Sequence, residues 1–164
     1  SAEEAMRANA DTFHFTNCTP QHWRFNESAE FWQGVERFIL EKGGIPSRKR
    51  LCVFQGPVLD DGYAECGSVQ VPLRFWKVVV WEGAHGLKAT GFVVSQERIL
   101  DQPRRPMKPV SDETPIRVDQ YRTSISRIGR LTGLDFGTVA AADTRTGAVG
   151  AEDMTMLTRF EELL

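Results

Sequence analysis

The chain has 164 residues, of which 41% are hydrophobic and 26% charged, and its formal net charge is −2. This length and composition are ordinary for a single globular domain with a sizeable core. The lack of a basic excess weighs against a large non-specific nucleic-acid-binding surface, although it leaves room for a small basic cleft. No run approaches the roughly 18 apolar residues of a membrane span, so we expect no membrane partner.

The three cysteines, Cys18, Cys52 and Cys66, form no CxxC pair, and their number is odd. This pattern favours neither a zinc site nor a disulfide framework and indicates reduced thiols, which favours a cytoplasm-like compartment. No targeting segment is recognisable. The sequence begins at Ser1 rather than Met, which is compatible with a processed product or with a start inside a longer protein.

The first quarter of the chain predicts a helix, a strand, a loop and a second helix. Residues 1–10 have helix-forming composition, and residues 12–16 alternate between aromatic and polar side chains as a half-buried strand does. Residues 18–26 are interpreted as a loop, and residues 28–40 as a helix that Gly43 and Gly44 bring to an end. The apolar stripe of this helix is spaced by three and four residues: Phe31, Trp32, Val35, Phe38 and Ile39.

Three strands are predicted in the middle of the chain. Residues 50–58 form the first, and a turn-rich excursion follows over residues 60–72. Residues 73–81 and 88–96 read as two neighbouring strands that a short connection joins into a hairpin. Residues 101–116 contain four prolines and several charges, which indicates a long surface loop.

The last part of the chain predicts a helix over residues 118–132 that Gly133 caps, with a buried stripe. That stripe consists of Val118, Tyr121, Ile125, Ile128 and Leu131. Residues 137–153 are rich in small residues and are interpreted as loose, and residues 154–164 as a terminal helix. Together the elements predict an α+β fold with a mostly antiparallel sheet and flanking helices, in one domain over residues 1–164.

Asn17, Gln21 and Asn26 are the first candidates for chemistry. Neutral amide side chains both donate and accept hydrogen bonds, so Asn17 and Gln21 are most simply explained as braces of a tight loop. Alternatively, an amide oxygen ligates a hard cation. Magnesium fits this alternative because it prefers oxygen ligands and keeps several waters.

Other polar residues carry weaker signals. Glu36 lies in the predicted helix near the side of the Trp32 stripe, and taken alone it is most simply explained as a solvated surface carboxylate. His14 and His22 have no neighbouring Asp or Ser pattern that suggests a triad, and His85 is expected to be exposed in the hairpin turn.

Basic residues could meet a phosphate or be solvated. The clusters at residues 48–50 and 104–108 are most simply solvated loops. Arg24 and Arg37 are better placed to reach a phosphate near the loop that follows the first strand.

One stretch carries a resemblance to a known family. The sequence "TFHFTNCTPQHWRFN", followed by "FWQGVERFIL", resembles the DNA/RNA non-specific endonucleases, a family that includes Serratia-type nucleases and endonuclease G. Three later pieces agree in order: "VFQGPV", "VPLRFWKVVV" and "IGRLTGLDF". The similarity spans about residues 10–137 and implies a ββα-metal (His-Me finger) nuclease fold that cleaves the backbone of DNA and RNA with Mg²⁺, or with Mn²⁺ or Ca²⁺ in its place.

The resemblance implies roles for individual residues. Asn26 matches the direct protein ligand of the catalytic magnesium, and Glu36 matches the Glu that contacts the water shell of the metal. Asn17 matches a residue that supports the active site, and Gln21 one that braces the loop. The family often carries an Arg one turn beyond the Glu; here Leu40 occupies that place, and Arg37 is a nearby substitute.

The chain departs from the family in one respect. The Asp-Arg-Gly-His sequence that supplies the general-base His in the family is absent. We therefore expect this chain to be the larger, C-terminal part of a longer nuclease domain, to be nearly inactive alone, and to accept as a partner an N-terminal fragment that carries the His. The alternative is a non-catalytic nuclease-like module that binds nucleic acid or a protein.

Overall fold

A computed structural model describes residues 2–12, 18–44, 50–83, 85–100 and 118–145. The strand predicted at residues 12–16, apart from its first residue, lies outside the described residues. The same holds for the loop at residues 101–116 and the helix at residues 154–164. Those interpretations stay predictions.

The described residues contain a four-stranded antiparallel sheet built around one hairpin. Strands β4 (Arg74–Gly83) and β5 (Gly86–Ser95) form the hairpin, β1 (Leu51–Pro57) pairs with β4, and β6 (Arg122–Thr123) pairs with β5. The hairpin and the antiparallel arrangement confirm the sequence prediction. The strands run through Gly83 and resume at Gly86, so the connection is shorter than predicted.

Strand β4 is buried on both of its faces, in agreement with the nearly unbroken apolar run that it carries. Side chains of a strand alternate between faces, so Phe75, Val79 and Trp81 enter one core cluster while Val78 enters another. The sheet is therefore the middle layer between two groups of helices.

Helices α2 (Trp23–Glu27) and α3 (Trp32–Phe38) cover the first face of the sheet. The prediction of a loop at residues 18–26 was wrong from Trp23 onward, where α2 begins. The helix predicted from residue 28 begins only at Trp32. Ser28 instead closes α2 and accepts the backbone N–H of Phe31, whose backbone is not helical. Beyond α3 the chain continues as a π-helical turn, Ile39–Gly44. This helical segment ends at the predicted glycine pair.

The apolar stripe predicted for this helix is confirmed. Trp32, Val35, Phe38 and Ile39 are buried in the first core cluster, and Phe31 packs against it. The entry to α3 also depends on Gly34, because a Cβ at this position would lie 1.9 Å from the carbonyl oxygen of Ala29. The glycine lets the turn before α3 pack against the helix without a clash.

The second face is covered by α4 (Ile125–Thr132) and α5 (Thr138–Ala141). The predicted helix start at residue 118 was wrong, because residues 122–123 pair with β5 and Ser124 caps α4 by accepting the backbone N–H of Arg127. Gly133 ends the helix with a left-handed φ of 71°, as predicted.

The remaining elements lie outside these layers. The excursion at residues 60–72 contains a second hairpin, β2 (Tyr63–Cys66) and β3 (Val69–Pro72), which sequence analysis did not predict. The helix predicted at residues 1–10 is confirmed as α1 (Ala2–Asp11), none of whose residues is buried. Within the described ranges, every helix falls short of the length and apolar character needed to cross a bilayer.

Candidate active site

A cleft of about 290 Å³ opens between α2, α3 and the adjoining ends of β1 and β4. Its lining is mostly polar on the helical side and mostly apolar on the sheet side. The polar residues are Thr19, Gln21, Asn26, Glu36 and Gln55; the others are Trp32, Gly56, Pro57 and Phe75. The cleft therefore brings side-chain oxygens together next to the aromatic rings of Trp32 and Phe75.

Asn26 and Gln21 reach the cleft from α2 and from the loop before it. Neither side-chain amide hydrogen-bonds to another residue within the described part of the chain, and Asn26 is exposed. Their carbonyl oxygens are consequently available to a ligand.

His22 fixes the start of α2. Its Nδ1 accepts the backbone N–H of Arg24 at 3.2 Å, and its own backbone N–H donates to Gln96 Oε1 at 2.7 Å. Partial burial, assisted by the positive charge of Arg24, lowers the pKa of His22. His22 thus supports the helix that carries Asn26 and does not line the cleft.

Glu36 faces the cleft from α3, where a buried lysine holds it. Lys77 Nζ donates to Glu36 Oε1 at 3.1 Å; the lysine side chain is 2% exposed and the glutamate side chain 46% exposed. Burial lowers the pKa of Lys77, and the nearby Glu36 carboxylate opposes that shift.

The same ammonium group contacts two further residues of the cleft. It donates to Gln55 Oε1 and lies 4.1 Å from the centre of the Trp32 ring, in a cation–π contact. Neither Lys77 nor Gln55 is among the site residues predicted from the sequence. The available signal was the charged residue inside "FWKVVVW", at a position whose alternation places it in the core.

The sequence matches the DNA/RNA non-specific endonuclease family over residues 2–143. The chain belongs to this family. It is 34% identical over 148 residues to "Uncharacterized protein y4fB" of Sinorhizobium fredii, which covers 87% of this chain and 22% of that protein. The fold is similar to that of a chain in a solved structure titled "Crystal structure of the EndoG/EndoGI complex: Mechanism of EndoG inhibition". The TM-score of this match is 0.53 and the sequence identity is 25%. That match covers 77% of this chain and 50% of the EndoG/EndoGI one.

Membership in the DNA/RNA non-specific endonuclease family confirms the resemblance found in the sequence. The predicted α+β class is also confirmed. The chain spans about a fifth of the Sinorhizobium protein and half of the matched structure, so it corresponds to part of each.

The structure brings some of the predicted site residues together and separates others. Gln21, Asn26 and Glu36 share the cleft, although Glu36 lies ten residues after Asn26. Arg37 pairs instead with Glu41 at 3.0 Å and is absent from the cleft lining. Asn17, like His14, lies outside the described residues, so its role stays a prediction.

The other predicted arginine and the remaining histidine also lie away from the cleft lining. Arg24 pairs with Glu30 at 3.1 Å. His85 is exposed in the hairpin connection, as predicted.

The donor set of the cleft suits a hard divalent cation. Amide oxygens and one carboxylate are the groups that magnesium accepts alongside its own waters. The described residues contain no cluster of three or more His, Cys, Asp or Glu side chains that could hold a metal. A cation in this cleft would therefore have few direct protein ligands.

Proposed function

We propose that this cleft is the metal centre of a magnesium-dependent endonuclease that hydrolyses phosphodiester bonds of both DNA and RNA. The observation that carries the proposal is the presence of the Asn26 amide and the Glu36 carboxylate in one cleft of a chain from the non-specific endonuclease family. Hydrolysis of a sugar-phosphate backbone requires no base contacts, which suits a small polar cleft.

Asn26 would ligate the metal directly, and Glu36 would accept hydrogen bonds from its waters. Mn²⁺ or Ca²⁺ could occupy the same oxygen donors. When bound, the cation neutralises charge that develops on the phosphate and the leaving oxygen. Gln21 lies beside Asn26 in the cleft, Asn17 would support the site, and Arg37 would exchange its pair with Glu41 for a contact with the phosphate backbone.

The general base is the part that this chain does not supply. His22 is occupied as a helix cap, and the sequence contains no Asp-Arg-Gly-His. General-base catalysis contributes roughly a hundredfold to ten-thousandfold to a rate. We therefore propose that the chain alone is nearly inactive and that another polypeptide segment carries the base.

An exposed apolar strand supports docking of such a segment. Among the described residues, β1 lies at the edge of the sheet. Its neighbouring side chains Val53 and Phe54 point to opposite faces of the sheet, and both are exposed, by 44% and 50%. An edge strand offers unpaired backbone groups to another strand. These features are compatible with an N-terminal fragment that completes the sheet.

A non-catalytic binding module is the alternative, and the net charge of −2 favours it slightly. The Asn26 amide argues against it, because a module that only binds nucleic acid has no need of a metal ligand. The two functions differ in whether magnesium and a base together produce strand cleavage.

The test is relaxation of supercoiled plasmid by the 164-residue chain, with denaturing mass spectrometry to verify that a single polypeptide is present. Magnesium alone should give slow nicking. Added imidazole, as a diffusible base, should accelerate nicking in proportion to its concentration. Asn26→Ala should abolish both reactions, whereas Asn9→Ala, a change to an exposed amide on α1, should leave them unchanged.

Two results would contradict the proposal. Nicking that is independent of Asn26 would remove the cleft from the mechanism. Absence of nicking with magnesium and imidazole, combined with plasmid binding that is unaffected by Asn26→Ala, would favour the binding module. Fast, Asn26-dependent nicking without imidazole would contradict only the claim that the chain lacks a general base. His14 and His22 would then be the residues to test as the base.

A further inference from the structure

Lys77 occupies a position where the fold calls for an apolar side chain. It lies on the face of β4 that also carries Phe75, Val79 and Trp81, all of which are buried in the first core cluster. Its own side chain is 2% exposed. A lysine in such a row is unusual, because burying an ammonium group removes its hydration.

The ammonium group of Lys77 contacts only groups that also line the cleft, as far as the structure describes its polar and aromatic neighbours. It donates to Glu36 Oε1 and to Gln55 Oε1 and lies over the Trp32 ring. Gln55 is its direct partner across the β1–β4 pair, so the two side chains share one face of the sheet. The lysine therefore joins α3 to the end of β1 from below the cleft.

This arrangement is a poor device for stability alone. Replacement of a buried ion pair by apolar side chains of similar volume is often neutral or stabilising, whereas removal of one partner is costly when the other charge stays buried and unpaired. Here the anionic partner, Glu36, is 46% exposed, so water would solvate its carboxylate after the lysine is removed. Lys77→Met should consequently leave the fold intact.

We propose that Lys77 is a positioning residue that holds the Glu36 carboxylate at the cleft. Its ammonium group binds Oε1 and leaves Oε2, which hydrogen-bonds to no other described residue, available to a ligand. The inference rests on the proposed function, since Glu36 is the group assigned to the waters of the metal. Loss of a group that orients a metal-site residue typically weakens metal affinity by about tenfold to a hundredfold.

The test measures Mn²⁺ affinity by electron paramagnetic resonance, which does not depend on catalysis. Lys77→Met should weaken Mn²⁺ binding by about tenfold or more while the melting temperature stays equal to that of the wild type or rises. Lys88→Met removes the same charge at the far end of the β4–β5 hairpin, where Lys88 pairs with Trp81. Val79→Ala disturbs the core on the same face. Neither control should weaken Mn²⁺ binding, although Val79→Ala should lower the melting temperature.

A double-mutant cycle shows whether Lys77 acts through Glu36. Glu36→Gln should weaken Mn²⁺ binding to a similar extent. The Lys77→Met/Glu36→Gln double variant should have the same Mn²⁺ affinity as whichever single variant binds Mn²⁺ less tightly. Glu36→Gln removes the carboxylate itself and therefore tests the metal site rather than the lysine. Should Lys77→Met fail to fold, Lys77→Gln, which removes the charge but keeps a hydrogen-bond donor, takes its place, and Mn²⁺ binding equal to that of the wild type would overturn the positioning role.

The outcomes separate this inference from the proposed function. If the wild type binds Mn²⁺ through Asn26 but Lys77→Met binds equally well, the positioning role is overturned and the metal centre stands. Additive losses in the cycle also overturn it, because Lys77 would then act independently of Glu36. If the wild type binds no Mn²⁺, both proposals fail.

Discussion

The imidazole of His22 and the backbone N–H of Arg24 form a 3.2 Å hydrogen bond that caps the helix carrying Asn26. Helix α2 has only five residues, so a large share of its backbone N–H groups depends on such a cap. The acceptor is a titratable nitrogen. Protonation of this nitrogen would therefore remove the cap.

The first prediction concerns pH. The pKa of His22 is lowered in the folded state, so the unfolded chain binds a proton more readily, and stability falls as pH drops below the ordinary histidine value of about 6.5. Urea denaturation at pH 7.5 and 5.5 should show a smaller loss for His22→Asn than for the wild type, because asparagine caps helices without titrating. His85→Asn, at an exposed site, is the control and should lose as much stability between pH 7.5 and 5.5 as the wild type does. An equal loss in His22→Asn would contradict the linkage.

The second prediction concerns Gly34. A methyl group at this position would overlap the Ala29 carbonyl, so Gly34→Ala should force α3 away from the turn before it. We expect a loss of about 1–3 kcal/mol in the free energy of unfolding, as for other overpacked sites. Gln33→Ala, on the same helix, should change stability by far less. A neutral or stabilising Gly34→Ala would show that the close approach is absent in solution.

The third prediction separates stability from the site. Ser124 Oγ caps α4 on the face of the sheet away from the cleft, and Ser124→Ala should cost about 1 kcal/mol. Ser126→Ala, two residues along and exposed, should cost almost nothing. Both variants should bind Mn²⁺ like the wild type in titrations. Weaker Mn²⁺ binding in Ser124→Ala would indicate that the two faces of the sheet are coupled.

The fourth prediction tests Arg37 as a phosphate contact. If Arg37 leaves its pair with Glu41 to meet a phosphate, Arg37→Ala should weaken DNA binding uniformly across sequences and lower the slope of log K against log salt by about 1. Arg130→Ala, an exposed arginine on α4, should leave the slope unchanged. Fluorescence anisotropy at several salt concentrations measures both. Identical slopes for the two variants would exclude Arg37 from the contact.

Elements with a strong hydrophobic periodicity were predictable from the sequence. The apolar run of β4 and β5 and the stripe from Trp32 to Ile39 each persist over several residues, so packing and pattern agree. The start of α4 was misplaced because Val118 and Tyr121 continue the helical spacing, although the chain there pairs with β5 first. Tertiary pairing overrode a local pattern.

The site was predicted in part for a related reason. Asn26 and Glu36 stand in a recognisable motif, whereas Lys77 acts through contacts with residues that lie 22 and 41 positions away in the chain. No local pattern encodes such contacts. Only the register that sets Lys77 opposite Gln55, and the packing of α3 on that face, bring the three groups together.

The most direct test of the metal centre is paramagnetic broadening of ¹⁵N-labelled chain by substoichiometric Mn²⁺. The account predicts that the side-chain amide of Asn26 and the backbone N–H of Glu36 broaden first, while the side-chain amide of Asn9 keeps its intensity. Broadening that begins elsewhere, or that leaves the Asn26 amide unaffected, would contradict the assignment of this cleft as the metal site.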